Sequence, residues 1–269
     1  MSLSHSPLHS AVMYPWNKRT LFIGTLVEPI AVSYGAATLI VSLGNPVHIA
    51  TRSGIHACYS ALIPAGLNVK IDARHQPLAI CHLDVLGEDF ARFDGCLKST
   101  EENLRIGLKD EADARLTLQT MYRQPSDSEK AFGQLDHLLD YCFDRFGAPS
   151  PAIDTRIIHA INYIKQHFES NIPIGDVAGS VQLSVPRLIQ LFKQQTGVPI
   201  RRFRLWHRMY ESMLPIGAGH NLTDAALIVG FSDSPHFTHV FSSIWGVTPS
   251  CLFGKGIGAD IISPTPVLR

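Results

Sequence analysis

Short apolar runs punctuated by turn residues fill the first third of the chain, and a helical apolar period fills most of the rest. The runs fall at residues 21–27, 37–42, 47–50, 59–63, 67–71 and 78–85. Gly44-Asn45-Pro46, Arg52-Ser53-Gly54 and Pro64-Ala65-Gly66 separate them, and Val69-Lys70-Ile71-Asp72 alternates as a half-exposed strand does. Regular strands at this spacing predict a small antiparallel barrel or jelly roll. The character changes near residue 87. A short helix is expected over 88–97, a polar loop over 101–107 and a helix over 111–122. From Ser128 to Phe146 the positions Phe132, Leu135, Leu138, Leu139, Cys142 and Phe146 make a 3.6-residue stripe. That stripe fits a dimer seam or packing on the chain's own barrel. A Gly-Ala-Pro-Ser-Pro linker at 147–151 ends it, and Asp154 is placed to cap a helix over 155–169.

Residues 174–253 contain an internal repeat. Ala178 pairs with Ala226, and Leu188 and Phe192 pair with Phe237 and Phe241. In each copy a small residue lets two helices approach closely, and an apolar turn residue (Leu183 or Phe231) plugs the core. A hydroxyl or carboxylate then caps the second helix: Ser184 in the first copy, Ser232 or Asp233 in the second. Pro186 and Pro235 follow within the first turn, where a missing N–H does no harm. This is the logic of a helix-turn-helix whose second helix enters the major groove of DNA. Between the copies, residues 199–214 carry Arg201, Arg202, Arg204, His207 and Arg208 among aromatic and aliphatic residues. A helix of that length spans roughly 24 Å and can hold two recognition helices apart.

The stretch resembles the AraC/XylS family of bacterial transcription regulators over about residues 154–253. The motifs are Phe192-Lys193 with Gly197, then Gly230-Phe231-Ser232-Asp233, Phe237, Phe241 and Gly246-Val247-Thr248-Pro249-Ser250. The resemblance implies an α+β protein: an N-terminal cupin-like β-barrel with helices, then an all-α DNA-binding domain with two helix-turn-helix units. The expected division is a β-rich effector-binding domain at 1–110, a helical dimerisation or linker segment at 111–149, the DNA-binding domain at 150–256 and a tail at 257–269. The expected function is a cytoplasmic, sequence-specific DNA-binding transcription regulator, an activator or a repressor, that responds to a small-molecule effector. Its partners would be double-stranded DNA, RNA polymerase and a second copy of the chain.

With Leu188, Leu191 and Phe192 turned inward, the first recognition helix offers Pro186, Arg187, Ile189 and Gln190 to bases. By motif position, the family's base-reading side chains fall on Pro186 and Gln190. With Phe237, Val240 and Phe241 inward, the second offers Ser234, Pro235, His236 and His239. A glutamine pairs most naturally with adenine, and an arginine with guanine or phosphate. Ser184, Lys193, Arg201, Arg202, Arg204, Arg208, Ser232, Thr238 and Ser242 are the expected phosphate contacts. Two departures stand out against the family pattern: Ser242-Ser243 follows Phe241 where Phe-Lys is common, and Phe253 stands where arginine often closes the segment. The second unit is therefore expected to be poor in phosphate anchors.

Charge sharpens this picture. The chain has 23 basic and 23 acidic side chains, but residues 1–150 hold 13 basic and 16 acidic and residues 151–269 hold 10 and 7. An acidic module is joined to a basic one. Five widely spaced cysteines without a CxxC read as reduced thiols. His5 and His9 sit in a polar N-terminal stretch that lacks the pattern of a signal peptide, and no run is long enough to span a membrane. His48, His56, His75 and His82 lack the spacing of a cupin metal site, so no cofactor, no metal and no catalytic residue are expected. Trp16, Tyr34, Tyr59 and His82 are candidates for an effector pocket. Two alternatives stay open: a metal-dependent cupin enzyme fused to the DNA-binding domain, and a regulator that senses no effector. A DNA-repair methyl acceptor would need a zinc-held cysteine cluster or a reactive Pro-Cys-His motif, and neither occurs.

Overall fold

The computed structural model describes residues 11–17, 19–83, 98–99, 102–108, 110–143 and 153–264. Two sheets form the N-terminal part. The larger runs β10-β11-β7-β4-β9-β2-β1-β12, built from Lys98–Ser99, Arg105–Ile106, Ser60–Ile63, Thr38–Ser42, Pro77–His82, Thr20–Thr25, Ala11–Pro15 and Ala259–Ile261. The smaller runs β3-β8-β5-β6, from Ile30–Val32, Val69–Asp72, Val47–Thr51 and Gly54–Cys58. All pairings are antiparallel except that of β12 with β1.

The larger sheet is buried on both faces, because side chains alternate across a strand. Phe22, Ile40 and Ile80 face the smaller sheet and meet Val47, Ile49 and Ile71. Leu21, Ile23, Leu39 and Val41 face the other way. They are covered by α1 (Glu111–Arg123) and α2 (Ser128–Phe143) through Leu118, Leu135, Leu138 and Leu139. The apolar stripe of α2 therefore packs on its own barrel, with Phe132 at the margin; the Cys142 and Phe146 side chains lie outside the described residues. Polar contacts pin both helices. Arg19 pairs with Asp136 at 2.6 Å, Trp16 Nε1 donates to the Ser128 carbonyl at 3.0 Å, and Arg115 donates to the Ser42 and Gly44 carbonyls.

The expected strands occur with boundaries shifted by one or two residues, except that the last ends at His82. Residues 84–97, with the expected helix at 88–97, lie outside the described residues, as do His5 and His9. The stretch expected as a polar loop contains β11, held by β7. Five further strands lie outside the runs read from the sequence: β1, β3, β6, β10 and β12, the last returning from the C-terminal part to the edge of the larger sheet.

The C-terminal part is helical: α3 (Thr155–Gln166), α4 (Ile174–Ser180), α5 (Val185–Thr196), α6 (Ile200–Gly217), α7 (Leu222–Ile228), α8 (Ser234–Trp245) and α9 (Pro249–Phe253). Asp154 caps α3 by accepting from the Arg156 N–H, and the Arg156 guanidinium holds its carboxyl down to about 2. Ile157, Ile161 and Ile164 of α3 pack against Val177, Ala178, Leu188, Leu191, Phe192 and Phe203 as a separate core. The core of α7 and α8 is instead continuous with the core between the two sheets. At this junction His82 lies 4.6 Å from Trp206, 4.7 Å from Trp245 and 4.8 Å from Tyr34, ring centre to ring centre.

Candidate nucleic-acid interface

The two helix-turn-helix units are α4–α5 and α7–α8. Each recognition helix starts on a side-chain cap. Ser184 accepts from the Arg187 N–H at 3.4 Å, and Asp233 accepts from the His236 N–H at 2.7 Å. Asp233, not Ser232, is the second cap; the Ser232 hydroxyl donates to the Asp233 carboxylate at 2.9 Å. Those bonds hold the Asp233 carboxyl below the usual carboxylate range. Pro186 and Pro235 occupy the first turn, and Gly197 and Gly246 close the helices in the left-handed region, where a Cβ is disfavoured.

Leu188, Leu191 and Phe192 are buried in α5, and Phe237, Val240 and Phe241 in α8. The opposite faces are open. Pro186, Arg187, Ile189, Gln190, Pro235, His236 and His239 are exposed, and Ser234 is half-buried. Arg187 Nη1 donates to Gln190 Oε1 at 3.1 Å, which joins two side chains of the exposed face. Ser234, Pro235, Thr238, His239, Ser242 and Ser243 line an open concavity of about 730 Å³ along α8. That face carries hydroxyls and imidazoles and no lysine or arginine, whereas α5 carries Arg187 and Lys193.

The arginines of α6 divide. Arg201 is exposed. Arg208 turns back, donating to the Phe168 carbonyl at 2.7 Å and the Ser170 carbonyl at 3.1 Å. Arg202 donates to the Ser33 carbonyl of the N-terminal part. Burial lowers the affinity of Arg202, Arg204 and Arg208 for their protons. Of the expected phosphate contacts, Ser184, Lys193, Arg201 and Ser232 are exposed. Thr238 and Ser242 are half-buried, with the Ser242 hydroxyl bonded to the Thr238 carbonyl at 2.8 Å. Arg202 and Arg208, read from the sequence as phosphate contacts, are spent on carbonyls of the chain in this arrangement, because one side of α6 faces protein.

The four effector-pocket candidates do not form one chamber. Trp16 and His82 line a crevice of about 40 Å³ against α6, with Arg19, Lys165, Trp206 and His207. Ligand pockets run to roughly 300–1,000 Å³, so this crevice holds water-sized groups only. Tyr34 packs on His82, and burial pushes its hydroxyl well up. Tyr59 lies apart, under the Arg115 guanidinium at 4.1 Å. His82 is held by Thr38, with Nδ1 and the Thr38 hydroxyl sharing a hydrogen bond at 2.8 Å and that hydroxyl 3.1 Å from the Ala36 carbonyl. Burial drives His82 down to about 3 and His207 down to about 4. No local pattern links a strand end to two helices, so the meeting of His82, Trp206 and Trp245 is not readable from the sequence. Among the described residues no group of histidine, cysteine, aspartate or glutamate side chains is placed to hold a metal, and no helix is long and apolar enough to cross a membrane.

Residues 177–254 match a family model described as a helix-turn-helix domain. Over 102 residues, 37% of this chain, the sequence is 34% identical to the arabinose operon regulatory protein of Escherichia coli (strain K12). That match spans 35% of the relative, so the chain covers about a third of the length of this curated relative. It is 36% identical over 90 residues to the HTH-type transcriptional activator RhaR of Yersinia pseudotuberculosis, covering 32% of this chain and 30% of that one. The fold as a whole is similar to that of ToxT from Vibrio cholerae, with a TM-score of 0.60 at 12% identity over 88% of this chain and 97% of that one. Another ToxT structure, with a TM-score of 0.57 and 14% identity over 89% and 96% of the chains, holds an unsaturated fatty acid. The fold is thus α+β, a cupin-like pair of sheets with helices followed by a double helix-turn-helix domain. Its C-terminal domain is similar in sequence to parts of the arabinose operon regulatory protein and RhaR, two transcription regulators, and matches the helix-turn-helix model over residues 177–254.

Proposed function

We propose that the protein is a non-enzymatic, sequence-specific DNA-binding transcription regulator, acting as an activator in the cytoplasm. The observation that carries this reading is the pair of capped recognition helices, each with a buried apolar face and an exposed polar one, in two helix-turn-helix units joined by a single 18-residue helix. In this reading Pro186, Arg187, Ile189 and Gln190 read one half-site and Ser234, Pro235, His236 and His239 the other. Ser184, Lys193, Arg201, Ser232, Thr238 and Ser242 meet phosphates. Arg202 and Arg208 support the fold first: Arg202 reaches DNA only if it leaves the Ser33 carbonyl of the N-terminal part, and Arg208 only if it leaves the Phe168 and Ser170 carbonyls of the reader itself. Residues 150–256 are the reader, 1–110 the effector-sensing part, 111–149 the helical segment beside it and 257–269 the tail. The regulator acts as a homodimer with RNA polymerase as its partner. The kinship of the reader to sugar-operon regulators supports transcriptional control, and the fatty acid in ToxT supports a small-molecule effector.

Selection from a pool of random duplexes with the purified chain tests the reading. Enrichment of a two-part motif is expected; retention of every sequence alike contradicts it. Melting-temperature screening against small metabolites tests the sensor, since a ligand at a hundred times its Kd adds about 2.7 kcal/mol to the folded state.

A further inference from the structure

Beyond α9 the chain turns back across the molecule. Gly254, Gly256 and Gly258 lead it there, and the Ile257 N–H donates to the Cys251 carbonyl at 2.7 Å. Ile257 and Ala259 are buried in the core that the sheets share with the second helix-turn-helix. β12 then lies parallel to β1, with Ala11 opposite Ala259, Val12 opposite Asp260 and Met13 opposite Ile261. The Ile262 N–H donates to the Met13 carbonyl at 2.8 Å.

The same strand touches the last turn of α6. At Gly217 a Cβ would lie 2.8 Å from Ile261 Cγ2 and 2.9 Å from Ser263 Oγ, so the strand occupies the space a side chain would need. Two residues earlier stands Pro215, inside the helix. Proline has no amide hydrogen, so the helical ladder lacks a bond there and the final turn is the place where α6 bends most readily. Only Ala218–Asn221 separate that turn from α7. The direction of the turn therefore sets how the second unit sits relative to the first.

We propose that β12 is a positioning strand: braced on β1, it fixes the Pro215–Gly217 turn and so the spacing of DNA half-sites that the two recognition helices accept together. The inference rests on the DNA-reading function proposed above. Ile261, Ile262 and Gly217 are its positioning residues, and none lies on an exposed face of α5 or α8. A ligand that shifts β1 would reach the second reading head through this strand.

The test uses the full chain and duplexes carrying the two selected half-sites at the preferred spacing and at spacings one or two base pairs longer or shorter. The unaltered chain is expected to prefer one spacing by about tenfold or more, equivalent to about 1.4 kcal/mol. Ile261→Ala and Ile262→Pro are expected to cut that preference to about threefold or less, with affinity for a duplex carrying the first half-site alone unchanged. Gly217→Ala presses on the strand from the helix side and is expected to do the same. Combined with Ile261→Ala, which removes the methyl it strikes, its effect should fall short of the product of the two single effects. Circular dichroism shows which variants fold; if Ile262→Pro does not, the two milder variants decide. Folded variants that keep the full spacing preference, or that weaken every duplex by one factor, overturn the proposal. An unaltered chain that prefers no sequence overturns the DNA-reading function itself, and the strand's role falls with it before any variant is made.

Discussion

The first helix-turn-helix closes a core of its own, in which α3 and the start of α6 complete what α4 and α5 begin. The second has no separate core, and Phe231, Phe237, Phe241 and Trp245 share theirs with Ile30, Val32, Tyr34 and Ile80 of the sheets. Equivalent positions show the difference. The turn residue Leu183 stays half-buried at the edge of the first core, while Phe231 is 4% exposed. Gln182 takes φ 53° in the first turn, and Gly230 takes φ 81° in the second. A Cβ on Gly197 would stand 3.7 Å from the Ala65 carbonyl oxygen, whereas one on Gly246 would come within 2.7 Å of Ile30 Cβ. The local rules that make a helix-turn-helix are thus met twice, but the first unit meets the N-terminal part only at its margin, through Ala65 and the bond from Arg202 to the Ser33 carbonyl. The second shares one continuous core with the two sheets.

The largest way to break this comparison is at Trp245, whose ring stacks on Trp206 at 5.4 Å. Trp245→Ala should destabilise the whole protein by about 3–5 kcal/mol, as large-to-small changes in packed cores do. Thr196→Ala, at the equivalent place in the first unit, should cost less than about 1 kcal/mol. Chemical denaturation of both variants checks the ratio, and equal losses would mean the second unit is not anchored.

Acid probes the same junction. Folded His82 is lowered to about 3 and His207 to about 4, chiefly by burial, against 6.5 for the free group. Between those values and 6.5 the unfolded chain binds more protons, so stability falls as pH drops below about 6.5. The slope should be roughly 1.4 kcal/mol per pH unit for each histidine. His82→Leu should flatten the melting-temperature profile between pH 7 and 5. An unchanged profile would mean that His82 is hydrated rather than sealed by Trp206 and Trp245.

The glycine pair gives a smaller and cleaner contrast. Gly197→Ala and Gly246→Ala both place a side chain in the left-handed region, which costs about 1 kcal/mol. Gly246→Ala adds the collision with β3, for a total of about 2–3 kcal/mol. Smallest are the surface changes. Arg201→Ala should lower the slope of log K against log salt by about one charge for all sequences alike. Gln190→Ala should instead relax preference at a single base pair by about 1–3 kcal/mol. An equal loss on selected and random DNA would remove Gln190 from the reading face.

What the sequence makes legible follows from how local each cause is. Caps at Ser184 and Asp233, first-turn prolines, closing glycines and the Ala178 and Ala226 contacts act within a few residues, so both units and their open faces can be read directly. The strands are less legible because the larger sheet is buried on both sides, which erases the alternation that marks a strand. β12 pairs with β1 across nearly the whole chain and is only three residues long, so no window of sequence announces it. The basic character of α6 is plain, but whether an arginine faces solvent depends on what the helix packs against. Arg202 and Arg208 were expected outside and bond to Ser33, Phe168 and Ser170 instead. The crevice beside His82 is equally a product of tertiary contact, and Tyr59 lies apart from it under Arg115.

The most direct test of a double reader with one anchored head is selection from random duplexes with the full chain, followed by footprinting of the enriched sequences. One bipartite site is expected, its halves on one face of the helix about one turn of roughly 34 Å apart and its spacing fixed. Enrichment of single, unlinked half-sites, or of no sequence at all, would contradict it.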